Sequence, residues 1–210
     1  MRAIASTHPV ACRADGVALA DGLTRDALRL AMQQLSEAEV REGPGMAAAL
    51  CHALTEAARA LAGLHAYSPA ESYLAEALRW AGVMGGPDLR ADLQCALAEV
   101  ASNAADQAQL HCEHGERGVA CTGARDRARD HAFEAARLAG QATDPHWEVK
   151  LLLRASDVLD RCGDHADAVL MQQRALVLMG FYNPDLPADG RGLPVGAADT
   201  LHLTAPAALM

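Results

Sequence analysis

Glu76-Ala77-Leu78-Arg79-Trp80-Ala81-Gly82 and Glu134-Ala135-Ala136-Arg137-Leu138-Ala139-Gly140 carry the same Glu, Ala, Arg, Ala and Gly at an offset of 58 residues (134 − 76). Continued without a gap, that offset lays Pro87 on Pro145, Leu93 on Leu151, Val100 on Val158 and Asp106 on Asp164. The match takes in the end of one apolar-periodic stretch, the breaker after it and the whole of the next stretch. A repeat of this length is a stacked supersecondary unit, because one such unit cannot bury its apolar face alone. The recurring residues also choose the element: Ala, Leu, Glu and Arg are strong helix formers.

Composition agrees. Hydrophobic residues make up 51% of the 210-residue chain but aromatics only 3%. The apolar mass is Ala, Leu, Val and Met, whereas sheets favour β-branched and aromatic residues. The formal charge of −9 argues against general nucleic-acid binding, which needs phosphate neutralisation, and against adhesion to an anionic membrane. Lys150 is the only lysine among 18 basic residues, which points to a GC-rich, bacterial coding sequence. No apolar run approaches a membrane span or a signal peptide. Cys51, Cys95 and Cys162 fall in helical patterns, so the cysteines read as buried free thiols in a reducing cytoplasm.

Breakers divide the chain. Residues 1–22, with Pro9, Gly16 and Gly22, read as a flexible leader. A helix over 25–42 ends at Gly43-Pro44, and a second runs over 46–65. Ser68-Pro69-Ala70-Glu71 has the form of a capping box opening a third, to Val83. After Gly85-Gly86-Pro87 come a fourth helix to Leu110, a glycine-interrupted loop over 111–123 and a fifth helix over 124–142. Asp144-Pro145 opens a sixth, Asp164 caps a seventh, and residues 181–210 form a Pro/Gly-rich tail.

Gly163-Asp164-His165-Ala166-Asp167-Ala168, followed by Arg174-Ala175-Leu176, resembles the second-helix pattern of the tetratricopeptide repeat family. The same frame places Ala128 and Ala135 in the fifth helix and Ala70, Ala77 and Leu78 in the third. Small residues at those points let paired helices cross closely. The resemblance implies an all-α, right-handed α-α superhelix of seven helices. Its domain covers 23–180, with pairs at 46–84, 87–142 and 145–180 and an N-terminal capping helix.

Such a stack lines a concave groove with the first helix of each pair. Candidate groove residues are His52, Arg90, Gln94, Asn103, Lys150 and Arg154, of types suited to peptide backbone or carboxylate contacts. The implied function is a non-catalytic, cofactor-free module. It binds a partner protein or peptide, as a bacterial adaptor or secretion-chaperone-like protein would; a separate alternative is self-association as a homodimer through the apolar outer face of helix 25–42.

The competing reading is a metal-binding or redox helical enzyme built on His111, Cys112, His114 and Cys121, whose side chains are zinc-ligand types. Only the 112–114 pair has a common ligand spacing. His131 and Glu134, three apart on one helix, could share a metal, but a carboxylate-bridged bundle needs Glu-x-x-His on two helices and the chain has none.

Overall fold

The computed structural model describes the backbone of residues 11–40, 43, 45–110, 118–142 and 144–180, and their side chains apart from 11–21 and 118–120. Those residues form seven helices and no strand: α1 (Ala11–Val40), α2 (Met46–Gly63), α3 (Tyr67–Met84), α4 (Pro87–Leu110), α5 (Gly118–Ala139), α6 (Pro145–Cys162) and α7 (His165–Leu178). No helix among them is long and apolar enough to cross a membrane. They divide into two units, one ending at Met84 and one beginning at Gly85. The expected tail, 181–210, lies outside the described residues.

Three boundaries differ from the sequence expectation. The leader is helical from Ala11, so α1 runs through Gly16 and Gly22. A glycine inside a helix costs about 1 kcal/mol, which a stretch of Ala, Val and Leu can absorb. Likewise α5 begins at Gly118 rather than 124, because Cys121 and Ala124 continue its buried face against Ala105. The expected capping box does not mark the helix start: α3 begins at Tyr67, and Ser68 lies inside it with its carbonyl accepting from the Ser72 hydroxyl.

In the first unit, α1 and α3 each pack on α2. Ala57, Ala58, Ala70 and Ala77 are fully buried beside Leu50, Leu54 and Leu74. The turn after α2 closes on Leu61, whose carbonyl accepts from Ala66 N–H at 2.9 Å across the left-handed His65.

The second unit holds two helix pairs, α4 with α5 and α6 with α7; α6 packs in addition on both α5 and α4. Contact between the two first helices is what stacking one pair on the next requires. Asp144 caps α6 by accepting from His146 N–H at 2.9 Å, with Pro145 at the first helical position. At its other end Gly163 takes φ 93°, which lets Asp164 N–H reach the Leu159 carbonyl at 2.9 Å. Asp164 starts α7 without a side-chain cap; its carboxylate instead pairs with Arg129 Nε on α5 at 2.6 Å.

The repeat is visible in the packing. Ala77 and Ala135, Ala81 and Ala139, Leu93 and Leu151, and Val100 and Val158 are buried pair by pair. Asp106 and Asp164 break the equivalence: α4 is longer than α6, so Asp106 stays within its helix and pairs with Arg161. The alanines of the tetratricopeptide-like frame (Ala70, Ala77, Ala128, Ala135, Ala168 and Ala175) are each 1% exposed or less. Small residues therefore occupy the sites where each second helix sinks deepest.

Candidate functional site

Of the six expected groove residues, His52 stands exposed on α2 of the first unit and the other five belong to the second. Four of those five make a side-chain contact within the protein. Arg154 on α6 pairs with Asp92 and, in a bidentate fork at 2.7 and 3.1 Å, with Glu99 on α4. Half-burial works against its charge, but the Glu99 hydrogen bonds and the two carboxylates more than offset this and raise its pKa. Asn103, with Asp106, accepts from Arg161 Nη2 at 2.7 and 2.5 Å. Gln94 Oε1 accepts from His131 Nδ1 of α5 at 2.7 Å. Lys150 lies over the Trp147 ring, 4.5 Å from its centroid. Arg90 acts electrostatically on Glu134.

Arg154 and Asn103 are thus engaged across the contact between α4 and α6. They lock α4 to α6. The signal lay in the spacing: Asp92, Glu99 and Asp106 recur every seven residues, and Arg154 and Arg161 are seven apart on the facing helix. Seven residues are nearly two turns, so each series runs down one edge of its helix.

His111, Cys112 and His114 lie outside the described residues. Cys121 does not belong to a loop; it is buried on α5 with its thiol on the Ala105 carbonyl at 3.5 Å. His131 faces Gln94, and Glu134 is forked by Arg137 at 2.7 and 2.6 Å, which holds the Glu134 carboxyl below its ordinary range. Among the described residues no group of three or more His, Cys, Asp or Glu could hold a metal ion.

The thiols follow one rule. Cys51 donates to Ala77 O, Cys95 to Leu151 O and Cys162 to Arg125 O, each on a neighbouring helix, as Cys121 does. Burial pushes the Cys95 thiol up to about 12, with Glu99 and Asp92 adding and Arg154 opposing. A thiol in this state is a poor nucleophile. Its folded-state pKa lies above the ordinary 9.0, so its contribution to stability is complete below pH 9 and is lost as pH rises towards 12. Cys95→Ala should therefore lose less stability than the wild type between pH 9 and 11. Urea midpoints at the two pH values check this, and equal losses would contradict it.

The concavity that the sequence did not disclose is in the first unit. A groove of about 430 Å³ opens over α2, lined by Met32, Leu35, Ser36 and Glu39 of α1, Leu54 of α2, and Ser72, Tyr73 and Glu76 of α3. Leu35 and Leu54 form a buried apolar floor. Met32 and Tyr73 meet across it, the Tyr73 hydroxyl donating to the Met32 sulfur at 3.7 Å. Residues 32, 35, 36 and 39 follow one helical stripe, and so do 72 and 76. The stripes mix apolar and polar types, so helical periodicity alone reads them as an ordinary boundary between core and surface. The chain matches no protein-family model and no curated protein.

Proposed function

We propose that the protein is a non-catalytic interaction module and that the first-unit groove receives an apolar side chain of a partner protein. The observation that carries this reading is the groove itself. Its volume of about 430 Å³ falls in the range of ligand pockets, roughly 300–1,000 Å³. Its floor is apolar and its rim polar, the division by which a site binds and orients a segment at once. Met32 adds an unbranched, adaptable side chain, 41% exposed, of the kind that moulds to different ligands. Among the described residues, the four thiols face carbonyls of neighbouring helices, His131 faces Gln94 across α4 and α5, and Glu134 is paired with Arg137 on its own helix.

Within this reading, the tetratricopeptide-like frame and the acidic, lysine-poor composition support a cytoplasmic bacterial adaptor or a secretion-chaperone-like protein. Such a protein would shield an apolar segment of its client.

Selection from a random dodecapeptide library on immobilised protein tests the proposal. The expected outcome is a set of peptides sharing an apolar anchor and released when the groove is filled by Ser36→Trp with Ser72→Trp. Both serines are exposed, so the fold should tolerate the change. Peptides that bind the filled variant equally well would sink the assignment.

A further inference from the structure

The rim says which segment fits. Among the described residues, the groove lining contains two carboxylates, Glu39 on the α1 side and Glu76 on the α3 side, and no cationic side chain. Arg79 forms an ion pair with Glu76 from one turn further along α3, but it is not part of the lining and its side chain is 75% exposed. A cleft with low-dielectric walls and one sign of charge concentrates its field on whatever enters. Here the walls are Leu35, Leu54, Met32 and Tyr73, and the sign is negative.

Resting on the peptide-binding reading above, we propose that the groove selects a basic amphipathic segment of a partner protein, in which Lys or Arg flank an apolar anchor on both sides. The anchor sits on Leu35 and Leu54, and the flanking cations meet Glu39 on one rim and Glu76 on the other. Binding such a segment replaces the exposed pairing of Glu76 with Arg79 by a pairing at the edge of an apolar floor. Partly desolvated charge pairs of this kind set specificity and association rate more than total affinity.

Three fluorescent decapeptides with one Leu-Leu anchor test this: one flanked by arginines, one by glutamines, one by glutamates. Each is titrated into the full chain by fluorescence anisotropy. Arg-flanked should bind tighter than Gln-flanked, and Gln-flanked tighter than Glu-flanked. The Arg-to-Glu ratio should be about five- to tenfold at low salt, the scale of two rim ion pairs. That ratio should shrink at 0.5 M salt. Glu39→Gln with Glu76→Gln should bring the Arg and Gln peptides together, and Glu39→Arg with Glu76→Arg should invert the order.

The Ser36→Trp, Ser72→Trp variant keeps every charge and should lose the Arg peptide. If it binds that peptide unchanged, the attraction is diffuse and the proposal fails. If all three peptides bind equally and the filled groove abolishes binding, the charge selection is wrong while the peptide-binding reading stands. If none binds, both fall.

Discussion

Leu151→Ala is expected to lower the unfolding free energy of the second unit by about 3–4 kcal/mol. Leu151 is fully buried on α6, in a cluster with Ala91 and Cys95 of α4 and Ala135, Leu138 and Ala139 of α5. Three helices therefore converge on one side chain, and its carbonyl accepts the Cys95 thiol. The neighbours are mostly alanines, whose short side chains cannot move in to fill the space. The loss should include both the transfer term and most of the cavity term. Leu153→Ala, two residues further on the same helix, is the control. Leu153 is 42% exposed, and its truncation should cost within about 0.5 kcal/mol. Urea unfolding followed by circular dichroism reads both, as a lower midpoint at unchanged slope for the first variant and almost no shift for the second. Equal midpoints would mean that Leu151 of α6 is not packed against α4 and α5.

Ala135→Leu should destabilise by about 2–3 kcal/mol in the opposite manner, by overfilling. Ala135 has no exposed surface and lies where α5 meets α4 and α6. It is also the residue that repeats Ala77 of α3, and it belongs to the set of alanines on which the repeat resemblance rests. Its smallness is what brings the helices close, so added methylenes must push backbone apart. Ala166→Leu on α7, at an exposed position, adds the same atoms without that cost and should stay within about 0.5 kcal/mol. A tolerated leucine at 135 would break the link between the repeated alanines and the packing.

Much of this fold was legible because punctuation and period agree. Pro87, Asp144-Pro145 and Gly163-Asp164 mark boundaries that the structure keeps to the residue or nearly so. Ala77 with Ala135 and Leu93 with Leu151, matched by the offset of 58, are buried alike. The errors arose where a local signal was outvoted. Gly16, Gly22 and Gly123 read as breakers, yet each lies inside a helix rich in good formers, and Gly118 opens α5. Ser68 reads as a cap, but α3 had already begun at Tyr67.

The candidate site was less legible, for a different reason. Whether Arg154 is available to a ligand depends on what faces it, and the facing helix carries Asp92 and Glu99 at complementary spacing. Helical periodicity reads each helix alone. The groove escaped notice on the same ground: Met32, Leu54 and Tyr73 lie on three helices, and only the packing of α1 and α3 on α2 brings them to one concavity.

The first-unit groove, rather than the polar wall of α4 and α6, is the proposed binding surface. Amide chemical-shift mapping with the Arg-flanked peptide addresses it most directly. Perturbations should concentrate on Met32, Leu35, Ser36, Glu39, Ser72, Tyr73 and Glu76. Shifts centred instead on Arg90, Gln94, Lys150 and Arg154, with the groove residues unmoved, would contradict it.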